Sequence, residues 1–142
     1  MKRVGIFVDE SPARIEEIAR AASLDIAQLH GKEAKADYPR LRVWKAVRVG
    51  PDFDPSQFAG LADAILLDGP ASGRTFDWKV ARSLQLRIIL AGGLDASNVA
   101  DAVAVVHPWG VDACSRIESA PGKKDHKKMN EFLQAARAAL GV

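Results

Sequence analysis

Short apolar runs alternate with amphipathic segments along the whole chain. The runs are rich in β-branched and aliphatic residues, which is typical of strands, and they lie at Val4–Val8, Ile26–Leu29, Val43–Val49, Ala64–Leu67, Arg87–Ala91 and Val111–Cys114. They are continuous rather than alternating, which indicates strands that are covered on both faces. A helix or helix-like segment follows each run, and this order favours a parallel sheet with right-handed crossovers. The pattern predicts an α/β fold in a single domain over residues 1–142.

Capping residues mark where several helices should begin. Ser11 suits an N-cap and Pro12 the first helical position, where its missing N–H costs nothing. Asp54 and Pro55 are expected to start a short helix, Asp77 and Asp95 to cap later ones, and the last helix to begin at about Asp125. The apolar stripes expected after the last three are Trp78, Val80, Ala81 and Leu84; Val99, Ala102, Val103 and Val106; and Met129, Phe132, Leu133, Ala136 and Leu140. Only one helical turn is expected between Lys32 and Arg40.

Composition narrows the class of protein further. The chain is 48% hydrophobic, yet no apolar run approaches the roughly 18 residues that a membrane helix needs. A net charge of +2 gives no reason to expect a nucleic-acid or membrane partner. The first apolar run is too short for a signal peptide, so we expect a cytoplasmic protein. The single cysteine, Cys114, excludes an internal disulfide and is expected to be a small buried residue.

Polar residues gather where the predicted strands end. In a parallel sheet these ends share one edge, where active sites form, and here they carry Asp9, Glu10, His30, Arg48, Asp68, Gly92, Gly93 and the stretch 112–116. Asp68 is the single carboxylate that directly follows a buried run. It is either a candidate acid or a residue that only caps its own loop through nearby N–H groups.

Two of these ends suit an anion. Gly92 and Gly93 allow backbone amides to approach a phosphate, with a helix start behind them, although a tight strand-to-helix turn is the alternative explanation for the pair. Ser115 and Arg116 offer a hydroxyl and a guanidinium after the last strand. Loops after the last two strands of a (β/α) barrel are a frequent phosphate site, so the two loops together favour phosphate binding.

Other motifs do not support a function. The segment from Gly69 to Thr75 is one residue short of a P-loop and has arginine in place of the lysine, so we reject an NTPase. The three histidines lack the spacing of metal ligands, and neither a metal nor a cofactor is expected. The basic cluster at 123–128 is interpreted as a solvated helix start rather than a nucleic-acid contact.

Several segments, taken jointly, resemble one known family. They are Val4–Pro12 (VGIFVDESP), Ile26–Gly31 (IAQLHG), Val43–Arg48 (VWKAVR), Leu66–Asp68 (LLD), Gly73–Trp78 (GRTFDW), Leu90–Leu94 (LAGGL), Asn98–Val99, Pro108–Asp112 (PWGVD) and Glu118–Asp125 (ESAPGKKD). In this order they resemble phosphoribosylanthranilate isomerase, a (β/α)8 TIM-barrel enzyme of tryptophan biosynthesis.

The resemblance implies family strands three to eight, so six of the eight βα units are expected, as an open parallel barrel. Its unpaired edges and uncovered apolar faces are expected to favour self-association. The family's general-base cysteine, on its first strand, and an arginine after the second have no counterpart. Cys114 stands where the family usually has serine, and Arg116 where it usually has glycine.

The family performs an Amadori rearrangement of N-(5'-phosphoribosyl)anthranilate, without a cofactor. By resemblance Asp68 is the general acid, and a phosphosugar is the substrate. Asp112, His30 and Arg48 are expected to contact or surround it, and the residues expected around its phosphate are Gly92, Gly93, Ser115 and Arg116. Two hypotheses stay open: an isomerase whose sequence here starts too late, or an inactive barrel fragment that acts as a phosphosugar-binding or assembly module.

Overall fold

A computed structural model of the chain describes residues 1–82 and 84–142. Its main sheet has six strands that hydrogen-bond in sequence order: β1 Val4–Phe7, β2 Ile26–Leu29, β3 Arg42–Arg48, β4 Ala64–Asp68, β5 Ile88–Leu90 and β6 Gly110–Val111. The strands are parallel. The α-helices of the described residues are α1 Pro12–Ala22, α2 Val99–Val106 and α3 His126–Leu140. Single 3-10 turns lie at Lys35–Asp37, Pro55–Phe58, Trp78–Ala81 and Ser115–Ile117. The predicted parallel α/β fold is confirmed.

The chain divides into two compact units, and the first comprises Met1–Val47 and Asp54–Leu66. It holds β1, β2, most of β3 and the start of β4, with α1 after β1. Its core is formed by Phe7, Ile15, Ala27, Leu29 and Val43. As predicted, α1 begins with a proline at its first turn, and the Ser11 hydroxyl accepts a hydrogen bond from the Arg14 amide at 3.4 Å.

The two faces of β1 differ in burial. Phe7 is in the core, whereas Val4, Ile6 and Val8 are 36%, 65% and 63% exposed. Val4 and Ile6 alternate along β1 and therefore project from the same face, and Val8 directly follows the strand. Within residues 1–82 and 84–142, β1 is the first strand of the sheet and hydrogen-bonds to β2 alone. It therefore presents an apolar face beside an open strand edge.

The second unit comprises Arg48–Phe53 and Leu67–Val142. It contains the end of β4, then β5 and β6, with α2 and α3 packed against each other. Asp125 is the N-cap of α3, because its side chain accepts hydrogen bonds from the amides of the first turn. A two-stranded antiparallel hairpin, β7 Glu118–Ala120 and β8 Lys123–Lys124, precedes α3. This hairpin was not predicted.

One predicted helix is shorter than expected and one predicted cap is wrong. Asp77 does cap its segment, because its side chain accepts a hydrogen bond from the Lys79 amide at 3.1 Å. The helix after Asp77 is a single 3-10 turn that ends before Leu84, and residue 83 lies outside the described residues. Only one residue of that turn, Ala81, is buried, so packing gives little support to further turns. Asp95 does not cap a helix, since α2 starts at Val99 after Asn98 and the Asp95 carboxylate binds elsewhere.

The prediction of a buried Cys114 is also wrong. The last strand ends at Val111, so Cys114 lies in the following turn and is exposed. Its sulfur lies 3.4 Å from the ammonium nitrogen of Lys124, which also donates a hydrogen bond to the Cys114 carbonyl at 2.9 Å. Among the helices of residues 1–82 and 84–142, none has the length and apolar character to cross a bilayer.

Candidate active site

The candidate acid, Asp68, is the last residue of β4 and is half-buried. Its Oδ1 accepts a hydrogen bond from the Gly69 amide at 2.8 Å, so the residue does cap its own loop. Its carbonyl accepts the Val49 amide at 2.9 Å, which fixes the strand end beside the end of β3. The loop-capping and strand-tip interpretations are therefore compatible, because the cap uses one carboxylate oxygen and leaves Oδ2 for another role.

The strands of the second unit bring several predicted residues to one edge. The Ala91 amide donates to the Leu67 carbonyl at 2.8 Å, and the Asp112 amide donates to the Leu90 carbonyl at 2.8 Å. The ends of β4, β5 and β6 are consequently neighbours. Asp68 at the end of β4, the Gly92–Gly93 turn after β5 and Asp112 after β6 therefore lie at adjacent strand ends, as predicted for the carboxyl edge of a parallel sheet.

The Gly92–Gly93 turn is built for close backbone approach. Both residues have positive φ, +81° and +65°, a conformation that side chains disfavour. A Cβ on Gly93 would lie 2.8 Å from the Gly73 carbonyl oxygen, and one on Gly92 would collide with the Gly69 amide nitrogen. Among the described residues, none accepts a hydrogen bond from either glycine amide. The turn therefore packs tightly against the loop after β4 while its amides keep their donor capacity.

The loop after β6 lies against the loop after β4, close to the Gly92–Gly93 turn. A Cβ on Gly73 would lie 3.3 Å from the Ser115 hydroxyl oxygen, so the loops after β4, β5 and β6 meet around Gly73 and Gly93. The guanidinium of Arg116 is paired with Asp95: its Nε and Nη2 lie 2.9 Å and 2.8 Å from Asp95 Oδ2. The structure thus places a carboxylate, rather than open solvent, against this predicted phosphate ligand.

Asp95 and Asn98 are structural parts of the site that the sequence analysis missed. The Asn98 side chain accepts the Asp95 amide at 3.0 Å and donates to the Gly93 carbonyl at 2.9 Å. Burial pushes the pKa of Asp95 upward, but hydrogen bonds from Ser97 and the charge of Arg116 together hold that pKa below its ordinary value. Asp95 is thus an ionised anchor after the glycine turn. An Asp-x-Ser-Asn sequence is a recognisable turn signal, and it was read as a helix cap.

Two further predicted residues lie at strand ends. Arg48 belongs to the second unit, is exposed, and directly precedes Val49, whose amide binds the Asp68 carbonyl. His30 belongs to the first unit and follows β2. Its Nε2 lies 2.6 Å from the Gln28 side-chain nitrogen, and its amide donates to the Phe7 carbonyl at 2.8 Å. Their contacts with a substrate stay predictions.

The first unit contains a buried ion pair that sequence patterns did not reveal. Lys45 and Glu33 have side chains only 9% and 4% exposed, with Nζ and Oε2 2.8 Å apart. Lys45 also donates to the Gly31 carbonyl at 2.5 Å, and Glu33 Oε1 accepts the Asp9 amide at 2.8 Å. Burial raises the pKa of Glu33, but the Lys45 ammonium and the amides outweigh burial and hold the pKa below its ordinary value. The pair therefore ties together the segments after β1 and β2 with β3.

Metal chemistry finds no support at these strand ends. Within the described part of the chain, no group of three His, Cys, Asp or Glu side chains could hold a metal ion. What the second unit does assemble is a carboxylate, two glycine amides and a hydroxyl at neighbouring strand ends. The fold and this arrangement define an α/β protein of the TIM-barrel type.

Comparisons with known proteins identify the family. The sequence profile of the N-(5'-phosphoribosyl)anthranilate (PRA) isomerases matches residues 1–135. The PRA isomerase of Solibacter usitatus is 64% identical over 149 aligned residues, which cover 99% of this chain and 75% of the relative. The chain belongs to the N-(5'-phosphoribosyl)anthranilate isomerase family, and the predicted family resemblance is confirmed.

Solved structures agree with this assignment. A structure of monomers generated from the dimeric Thermotoga maritima enzyme has a TM-score of 0.84 and 37% identity, covering 97% of this chain and 73% of that one. A PRA isomerase in complex with reduced 1-(o-carboxyphenylamino)-1-deoxyribulose 5-phosphate also has a TM-score of 0.84, with 36% identity and coverage of 97% and 72%. The chain thus spans about three quarters of the length of these relatives.

Proposed function

We propose that Asp68 is the general acid and that the loops after β5 and β6 hold the substrate phosphate. Family membership makes the chain a PRA isomerase of tryptophan biosynthesis, and these roles would carry out its reaction. One observation supports the proposal above all others. Asp68 and the Gly92–Gly93 turn lie at adjacent strand ends, and Ser115 lies at the same junction of loops.

The reaction opens a sugar ring and moves hydrogen between two carbons. Asp68 gives its proton from Oδ2 to the furanose ring oxygen, the C1'–O bond breaks, and the anthranilate nitrogen forms a Schiff base with C1'. A base then removes the C2' proton, and the resulting enolamine takes up a proton at C1' to give the ketone. The Gly69 amide on Oδ1 orients the carboxyl group, so that the proton-bearing oxygen faces the sugar.

The phosphate would hold the sugar against this acid. Amides of Gly92 and Gly93 can donate to phosphate oxygens, and the Ser115 hydroxyl can add a further hydrogen bond. Fixing the phosphate at one end turns the proton transfer into a step between groups already in place. Asp112 and Arg48 would then surround the anthranilate end, and the Arg48 cation suits the carboxylate of that ring.

A second function, a phosphosugar-binding or assembly module, is favoured by the exposed apolar face of β1. Val4, Ile6 and Val8 would lie in water in an isolated chain, which favours self-association through this strand. Such a module would bind the phosphosugar without isomerising it. Under either function the cytoplasm is the proposed location.

Turnover and binding measured on the same chain separate these functions. We would follow the loss of substrate fluorescence during isomerisation, and measure binding of the reduced deoxyribulose phosphate analogue by calorimetry. An isomerase with Asp68 as acid predicts that Asp68→Asn lowers kcat by about 10²-fold or more while analogue affinity changes little. The matched control is Asp101→Asn, an exposed carboxylate on α2.

Each result has a defined meaning. An Asp68→Asn variant that keeps the kcat of the parent chain contradicts the acid role. Analogue binding without any turnover in the parent chain supports the module instead of the isomerase. If the parent chain neither turns over substrate nor binds the analogue, the proposed phosphate site is wrong.

A further inference from the structure

The two proposed phosphate loops are connected by one charged pair. Asp95 follows the Gly92–Gly93 turn, Arg116 follows Ser115, and their side chains meet at 2.8 Å to 2.9 Å. Among the described residues, this pair makes the side-chain hydrogen bonds found between the two loops. Both residues also line a cavity of about 470 Å³, so open space rather than packed side chains separates the loops there.

Each end of the pair is firmly attached to its own loop. Asp95 uses Oδ1 to accept the Ser97 amide at 2.9 Å and keeps Oδ2 for the guanidinium. Its amide is held by Asn98, which also binds the Gly93 carbonyl. Moving Asp95 would therefore move the backbone of the glycine turn.

The other end is anchored as well. Arg116 lies in the 3-10 turn Ser115–Ile117, next to the proposed phosphate ligand Ser115. Ile117 is buried, and its carbonyl accepts the Asp125 amide at 2.9 Å, which fixes this turn to the start of α3. The side chain of Arg116 is 49% exposed and that of Asp95 is 20% exposed, so water screens the pair only in part.

We propose that Arg116 is a positioning residue that acts through Asp95: the ion pair sets the separation of the two phosphate loops, and the guanidinium is not itself a phosphate ligand. This inference rests on the proposed phosphate site and adds a device that fixes its width. A guanidinium whose Nε and Nη2 both bind one carboxylate oxygen has two of its five N–H donors, and its charge, directed at that carboxylate. Phosphate affinity should then depend on both partners of the pair.

The direction in which Asp95→Asn changes phosphosugar affinity distinguishes two roles for Arg116. If Arg116 bound phosphate directly, removing the nearby carboxylate would free the cation and strengthen phosphosugar binding. If the pair positions the loops, the same substitution weakens binding. We expect Asp95→Asn and Arg116→Ala each to weaken binding of the reduced deoxyribulose phosphate analogue by about threefold to fivefold, the range expected of a half-exposed ion pair.

The double variant and a second ligand complete the design. Asp95→Asn combined with Arg116→Ala should bind no more weakly than either single variant, because both remove the same link. Arg116→Lys should recover part of the loss. The same analogue without its phosphate should bind the variants and the parent chain equally, a selectivity that general destabilisation would not produce. The control pair is Arg14 and Glu17, exposed at 53% and 60%, changed to alanine and glutamine.

The outcomes are distinct from those of the proposed function. Stronger binding in Asp95→Asn, or additive losses in the double variant, would overturn the positioning role while leaving the phosphate site intact. Equal losses for the phosphorylated and dephosphorylated ligands would also overturn it. A parent chain that binds the dephosphorylated analogue as tightly as the phosphorylated one refutes the phosphate site, and the positioning role with it.

Discussion

Replacing Lys45 by methionine should destabilise the protein strongly, since it leaves the Glu33 carboxylate buried without its partner. Methionine keeps most of the volume of the lysine stem, so the effect reflects the lost charge and its hydrogen bonds rather than lost packing. The Glu33 side chain is only 4% exposed, and the ammonium also satisfies the Gly31 carbonyl. Breaking one side of a buried pair costs about 3–5 kcal/mol. For a chain of this length that corresponds to a drop in Tm of about 6–20 °C.

Urea and thermal unfolding, followed by circular dichroism at neutral pH, measure this loss. Lys45→Met combined with Glu33→Gln should recover much of it, because no unpaired charge is then buried. Lys2→Met is the control: it breaks the exposed Lys2–Asp25 pair, in which the lysine side chain is 68% exposed, and it should change stability very little. A loss below about 1 kcal/mol for Lys45→Met, or no recovery in the double variant, would refute the reasoning.

Acid pH provides an independent check on the same pair. The pKa of Glu33 is lowered in the folded chain, so its charged form stabilises the fold above the ordinary value of 4.5, and that contribution is lost as the pH falls through the lowered value. Without Lys45, burial dominates and should raise the pKa of Glu33. The difference in stability between Lys45→Met and the parent chain should therefore narrow on acidification. A stability difference between Lys45→Met and the parent chain that grows as the pH falls would contradict the pairing of Glu33 with Lys45.

Three further predictions concern the glycine turn, the edge strand and the loop anchor. Gly93→Ala should lower the free energy of unfolding by about 1–3 kcal/mol and weaken phosphosugar binding. The control is Gly141→Ala, with a similar φ of +73° but nothing within 4 Å of the added Cβ, and it should leave binding unchanged. Equal effects of the two substitutions on binding would contradict the role of close packing. Ile6→Lys should reduce self-association in sedimentation velocity, with Val80→Lys, exposed at 41%, as the control that should not. Because the pKa of Asp95 is lowered, its stabilising charge is lost as the pH falls through that lowered value. In Asp95→Asn the free energy of unfolding should therefore fall less steeply with decreasing acid pH than in the parent chain. The same pH dependence in both chains would contradict a stabilising role of the Asp95 charge.

Local signals in the sequence were sufficient for much of the fold. Ser11 and Pro12 open α1 as predicted, and α3 begins directly after Asp125, where its start was predicted, because a cap acts within one turn of its own position. The ends of the apolar runs also located Asp68 and the glycine turn correctly at strand ends. Asp95 shows the limit of such signals, since an aspartate before a helix can bind a distant cation instead of capping.

Long-range pairs could not be predicted in the same way. Lys45 and Glu33 are 12 positions apart, and Asp95 and Arg116 are 21 apart, so no helical or strand periodicity links them. In sequence, Lys45 only interrupted an apolar run. The Lys45 ammonium is stable in the interior because the loop after β2 places the Gly31 carbonyl and the Glu33 carboxylate beside it. These contacts form only in the folded chain, so local sequence patterns do not indicate them.

Packing of the loop after β4 against the Gly92–Gly93 turn determines which positions in this region accept substitutions. The atoms that press on Gly92 and Gly93 are all main-chain atoms, contributed by Gly69, Gly73 and Arg74. Side chains in the exposed stretch Ala71–Ser72 take no part in these contacts, so a saturation library should accept most residues there and reject almost any replacement of the two glycines. The main chain of this loop, rather than its side chains, thus supports the shape of the Gly92–Gly93 turn.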